Sequence, residues 1–139
     1  MCAEQNVKKL IHISALGINE KNTSKYMLSK QKGENNILNN FKNSVILRPS
    51  IVFGPEDNFF NQFASLVEFF PALPLIGGGQ TKFQPIYVGD VAKSILAILE
   101  KEEIEDNIFE LGGPEVFSFK ELMEILLKEI KKKRFLISI

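Results

Sequence analysis

Lys9-Leu10-Ile11-His12-Ile13-Ser14-Ala15-Leu16, closed by Gly17, is a short apolar run with β-branched residues, of the kind that forms a strand buried on both faces of a parallel sheet. Downstream, Val45-Ile46-Leu47-Arg48 repeats the pattern, and Pro49 stops it because proline has no N–H to give a ladder. Between the two, an Asn- and Lys-rich loop leads to Thr23 or Ser24, either of which can cap a helix reaching about Phe41. In that helix Tyr26, Lys30, Gly33, Ile37 and Phe41 recur at three- and four-residue spacing and share one face. Strand, helix, strand is a βαβ unit, and its sheet-facing side carries an unusual passenger, Lys30.

Working outward, Pro55-Glu56-Asp57-Asn58 reads as a polar turn and Phe59 to Phe70 has helical periodicity. Pro71-Ala72-Leu73-Pro74 breaks that helix, and Gly77-Gly78-Gly79 is a turn. Phe83 to Val88 is extended, Gly89-Asp90 opens an apolar helix to about Glu100 with Asp90 as its N-cap, and Asn107 to Leu111 is another strand. Ser118-Phe119-Lys120-Glu121 is a capping box for a last helix near Phe119 to Lys133. Alternation of this kind indicates an α/β fold.

Composition narrows the function classes. The chain has 139 residues, 45% of them hydrophobic, and 17 basic residues balance 17 acidic ones. That neutrality gives no footprint for nucleic acid. The one basic run, Lys131-Lys132-Lys133-Arg134, follows a helix whose dipole favours cations at that end. A single cysteine, Cys2, and a single histidine, His12, supply neither a disulfide nor a usual zinc ligand set. No apolar run reaches the roughly 18 residues a spanning helix needs, and the N-terminus lacks the features of a signal peptide. The expected location is cytoplasmic.

Both ends read as cut. Few residues precede the first strand, and Phe135-Leu136-Ile137-Ser138-Ile139 is strand-like with no evident pairing partner. Open edges of this sort are a liability that folds usually cover. An internal piece of a larger protein is the expectation.

The sharpest chemical signal is Tyr26 with Lys30, one helical turn apart. An ammonium beside a phenol favours the phenolate, so the pair suits general acid/base work while Lys30 also holds a ribose hydroxyl. Spacing alone is weak evidence, since at least one Y-x-x-x-K arises by chance with a probability of roughly 0.2. The bland alternative is an anchoring tyrosine and a lysine that snorkels to solvent.

Order and context add to the spacing. His12-Ile13-Ser14-Ala15, Ser24-Lys25-Tyr26-Met27-Leu28-Ser29-Lys30 with Gly33-Glu34, and Leu47-Arg48-Pro49-Ser50-Ile51-Val52-Phe53-Gly54-Pro55 resemble the middle of extended and atypical short-chain dehydrogenase/reductases of the NAD-dependent epimerase/dehydratase group. Asn58-Phe59-Phe60-Asn61, Pro74-Leu75-Ile76-Gly77-Gly78-Gly79, Gln84-Pro85-Ile86-Tyr87-Val88-Gly89-Asp90 and Glu110-Leu111-Gly112-Gly113-Pro114 are more specifically similar to bacterial relatives of the NAD(P)H-binding accessory subunit of respiratory complex I.

The resemblance implies the C-terminal part of a Rossmann-like, doubly wound parallel sheet plus part of a smaller lobe, the latter at about 55–85 and 107–139. It implies NAD or NADP as cofactor, with Tyr26 and Lys30 on the nicotinamide ribose and Pro49, Ser50 and Ile51 lining the nicotinamide pocket. Tyr26 and Lys30 are thus the candidate catalytic residues, and Ser14 is a further cofactor-site candidate. Two departures matter. The family's N-terminal glycine loop, whose amides hold the pyrophosphate, has no counterpart here. Leu16 stands where active members carry a catalytic hydroxyl, which favours binding over turnover.

Three functional readings follow: a dinucleotide-binding accessory subunit, a reductase or epimerase using Tyr26 as acid/base, and a non-functional product of a split gene. Phe59, Phe60, Phe63, Phe69 and Phe70 bear on partners. On a helix Phe59, Phe63 and Phe70 share a face, whereas Phe60 and Phe69 lie about 100° away from their neighbours, so Phe60 and Phe69 are expected to stay exposed. The 59–75 segment would then dock on subunits of a respiratory complex or on the inner-membrane surface.

Overall fold

A computed structural model describes residues 6–18, 21 and 24–139. Cys2, the N-terminal signal-peptide question and the alternative cap Thr23 lie outside the described residues. The chain divides into two compact units, one running up to Ser50 and adding Gly89–Leu111, the other made of Ile51–Val88 and Gly112–Ile139.

The first unit is a three-stranded parallel sheet in the order β1-β2-β7, where β1 is Leu10–Ile13, β2 is Ser44–Pro49 and β7 is Ile108–Leu111. Leu10 lies opposite Ser44, and Ile46 lies opposite Ile108. The central strand β2 is buried at every position except Arg48, as a near-continuous apolar run requires. Strand alternation sends its side chains to opposite faces. Val45 and Leu47 pack with Ile98 of helix α3 (Val88–Glu100), while Arg48 turns to helix α1 (Lys25–Asn40). Helices on both faces of a parallel sheet make the fold doubly wound α/β.

Two sequence expectations change in this unit. Residues 108–111, grouped by sequence with the smaller lobe, complete the sheet of the first unit, because ladder pairing with β2 outweighs chain order. Asp90 is not an N-cap: α3 already begins at Val88, and the Asp90 carboxylate instead accepts a bond from Lys93 Nζ at 3.0 Å.

The second unit contains short strand pairs and two packed helices. Strand β3 (Val52–Phe53) pairs in parallel with β6 (Ile86–Tyr87), and β5 (Lys82–Phe83) pairs antiparallel with β8 (Phe117–Ser118). Strand β4 (Ala72–Leu75) pairs in parallel with β9 (Phe135–Ser138), so the strand-like end does have a partner here. Its core joins Val67 of α2 (Asn58–Phe69) and Leu73 and Leu75 of β4 to Phe119, Leu122 and Met123 of α4 (Phe119–Glu129). Asp57 caps α2 by accepting from Phe60 N at 2.6 Å. The expected capping box of α4 is present, with Glu121 N donating to Ser118 Oγ and Ser118 N donating to Glu121 Oε2.

Helix α4 stops at Glu129, short of the expected Lys133, for a local reason. Lys131 adopts a left-handed φ of 55°, its N–H donates to Lys128 O, and Lys132 N–H donates to Leu127 O. That is a Schellman closure with lysine where glycine is usual. Arg134 then turns back to donate from Nε to Val67 O and Phe70 O at the end of α2.

The phenylalanine expectation is also corrected. Phe60 is half-buried against the core and makes edge contacts with Phe59 and Phe53 at 5.1 and 6.4 Å. The β3–β6 pair supplies a second surface for its side of the helix, so Phe60 is covered beside Phe59 and Phe63, whereas Phe70, expected on their face, is the extended C-cap beyond α2 and leaves it. Phe69 is 83% exposed and Phe70 55%.

Candidate functional site

The carboxyl end of the three-stranded sheet is built by a ladder that continues past the strands. Ser14 N–H donates to Leu47 O, Leu16 N–H to Pro49 O, and Ser50 N–H to Leu111 O, at 2.7 to 2.9 Å. Since α1 follows β1, its N-terminal half, with Tyr26 and Lys30, belongs to this same end. Open parallel sheets bind their ligands outside the carboxyl ends of the strands. Ser14, Tyr26, Lys30, Pro49 and Ser50 therefore share one end of one unit. Ile51 begins the second unit, where its carbonyl accepts from Ile86 N at 2.9 Å.

Lys30 is half-buried, and its Nζ stands 5.8 Å from the centroid of the Tyr26 ring. This is a cation–π arrangement with the ammonium over the ring face, and Tyr26 itself is 58% exposed. The phenol and the ammonium both remain available to a ligand. Ser14 is 6% exposed and its hydroxyl has no hydrogen-bond partner of regular geometry.

Sequence reasoning missed the strongest electrostatic feature nearby. Glu34, only 2% exposed, receives two bonds from Arg48, Nε to Oε1 at 3.0 Å and Nη2 to Oε2 at 2.6 Å. Arg48 Nη1 also lies 3.8 Å from Glu110 Oε1 on the neighbouring strand. Burial pushes the Glu34 carboxyl up, but the hydrogen bonds and charge of Arg48, aided by nearby Ser14 and by His12, hold it below the usual carboxylate value. The bond from Glu34 in turn raises Arg48. The available signal was periodic: Glu34 follows Lys30 by one turn, so a carboxylate belonged on the sheet-facing stripe and needed a cation beneath it.

In the second unit the segment after Ile51 lines a cavity of about 470 Å3, bounded by Val52, Phe53, Gly54, Asp57 and Val88. Gly54 has no room for a side chain, since a Cβ there would stand 2.7 Å from Val88 Cγ1. Among the described residues, no cluster of three or more His, Cys, Asp or Glu could hold a metal, and no helix is long and apolar enough to cross a membrane.

Comparison with known proteins places this geometry. Residues 19–138 match the model of the RmlD substrate binding domain. The mitochondrial NADH dehydrogenase (ubiquinone) 1 alpha subcomplex subunit 9 of Arabidopsis thaliana is 39% identical over 127 residues, which cover 91% of this chain and 32% of that protein. The mitochondrial NADH-ubiquinone oxidoreductase 40 kDa subunit of Neurospora crassa is 28% identical over 132 residues, covering 95% of this chain and 34% of that protein. The chain thus spans about a third of the length of these relatives. Among solved structures, the dTDP-glucose 4,6-dehydratase DesIV of Streptomyces venezuelae, with NAD and TYD bound, superposes with a TM-score of 0.80 at 18% identity, over 99% of this chain and 49% of that one. A UDP-glucuronic acid 4-epimerase of Bacillus cereus, in complex with UDP-glucuronic acid and NAD, gives 0.74 at 26% identity over 94% and 48%.

Proposed function

The chain belongs to the family of the RmlD substrate binding domain, and from that membership, together with a fold shared with NAD-bound dehydratases and epimerases, we propose that it binds NAD or NADP as an accessory subunit rather than as a catalyst. The observation that carries the reading is the Lys30 ammonium, half-buried and held over Tyr26 at the carboxyl end of the parallel sheet. Lys30 donates to the hydroxyls of the nicotinamide ribose and Tyr26 adds its phenol. Ser14 supplies a buried hydroxyl on the sheet side, and the backbone at Pro49 and Ser50 lines the nicotinamide edge. When bound, the nicotinamide is a hydride carrier.

Two features favour holding over turnover. Leu16 offers no hydroxyl where active members of the group carry one, and the Lys30 ammonium stands over the Tyr26 ring, 5.8 Å from its centroid, with no hydrogen bond to the phenol among those of the described residues. The residues for the pyrophosphate are not in this stretch, so tight binding draws on other parts of the whole protein. The relatives' names, as subunits of NADH dehydrogenase and of NADH-ubiquinone oxidoreductase, support assembly with other subunits of a complex of that kind. The exposed rings of Phe69 and Phe70 are the surface proposed for that contact.

NADH titrated into the chain and followed by amide NMR tests the cofactor reading. Shifts centred on Ser14, Tyr26, Lys30 and Ser50 are expected; shifts spread over the second unit alone, or none at all, contradict it.

A further inference from the structure

Glu34 is the one buried residue of α1, a helix otherwise rich in Asn, Gln, Ser and Lys. An ordinary surface helix is held to its sheet by an apolar stripe, which tolerates small rotations and slips. Here Met27, Ile37 and Leu38 are only half-buried, and the fully buried contact is a fork, the guanidinium of Arg48 bonded to both oxygens of Glu34. A bidentate pair of this kind fixes distance and rotation together, which an ammonium or an apolar contact does not. As a source of stability it is inefficient, because well-packed apolar residues of similar volume often do as well.

Its location gives the fork a different use. Lys30 rides on α1 one turn before Glu34, and Arg48 directly precedes Pro49, the last residue of β2, and Ser50 just beyond it. The pair therefore ties the element carrying the ammonium to the strand end that lines the same site. We propose that Glu34 and Arg48 are positioning residues, setting where the Lys30 ammonium stands relative to the end of β2, and that this role deepens the dinucleotide reading on which it rests. Neither residue touches the ligand; both act through Lys30.

The test replaces the fork by an apolar pair of similar volume, Glu34→Met with Arg48→Met, in the full chain. The melting temperature should stay within a few degrees of wild type, while the NADH dissociation constant rises by about tenfold or more. A second readout is independent of NADH: the Tyr26 ring current displaces the ε-methylene proton signals of Lys30, and that displacement should collapse in the double variant. Arg48→Lys keeps the charge but loses the fork, and should fail in the same direction on both readouts. Unchanged NADH affinity in the double variant overturns the proposal. If wild type does not take NADH, the dinucleotide reading fails by itself, and the ring current decides the positioning: loss with a preserved fold supports it, retention overturns it. Should the double variant not fold, Glu34→Gln, which keeps the shape and loses the charge, decides by the same two readouts.

Discussion

Arg48, on the central strand, grips both carboxylate oxygens of Glu34 on α1, across 14 residues of sequence. The Glu34 carboxyl is held below its ordinary value of 4.5 in the folded chain. A depressed carboxylate contributes stability that is fully present above the unfolded pKa and is lost as pH falls through the folded one. Stability should therefore decline on the acid side, below about pH 5, and Glu34→Gln should flatten that part of the curve. Denaturant midpoints measured from neutral pH downward check this. Glu34→Ala, which leaves Arg48 only the Glu110 carboxylate at 3.8 Å, should cost about 3 kcal/mol at neutral pH.

Lys131 pays a steric cost for its left-handed φ of 55° at the end of α4. Glycine meets no Cβ clash there, so Lys131→Gly should stabilise the chain by about 0.5–1 kcal/mol. Thermal melts read the change directly. Lys131→Val, β-branched and poorly tolerated at positive φ, should move the midpoint the other way.

The two exposed rings and the covered one should behave oppositely. Phe60→Ser removes a half-buried ring that touches Phe53 and Phe59, and should cost about 2–3 kcal/mol. Phe69→Ser with Phe70→Ser should cost no more than about 1–2 kcal/mol, because Phe69 is 83% exposed and Phe70 55%. The proposed partner surface predicts that this double variant is depleted from membrane and complex fractions relative to the unaltered protein. Retention in those fractions would remove Phe69 and Phe70 from the proposed partner surface.

What the sequence shows and what it hides divide by range. The βαβ unit and the Ser118–Glu121 capping box are local patterns, and both are present, although β1 is a half-buried edge strand of four residues rather than one buried on both faces. The pairing of Phe135 with Ala72 is not local: nothing in either segment names the other, and only the folded second unit brings them into register. Phe60 was misjudged for the same reason, since helical geometry assigns faces but does not know that β3 and β6 cover a second one. Lys131 ends α4 by a backbone turn that its side chain does not advertise. In the candidate site, Tyr26 and Lys30 stand out by spacing, whereas Glu34 and Arg48 become a pair only when strand and helix are packed together.

The central claim is that Lys30 contributes to holding a dinucleotide. Its direct test is a fluorescence titration of NADH against this chain joined to a glycine-loop half, which supplies the pyrophosphate amides. The joined protein should bind much more tightly than the 139-residue chain alone. Within it, Lys30→Ala should weaken NADH by about 1–3 kcal/mol through the lost charge-assisted bond, while Tyr26→Phe stays within a few-fold. Equal affinity for NADH in the Lys30→Ala and unaltered joined proteins would contradict the account.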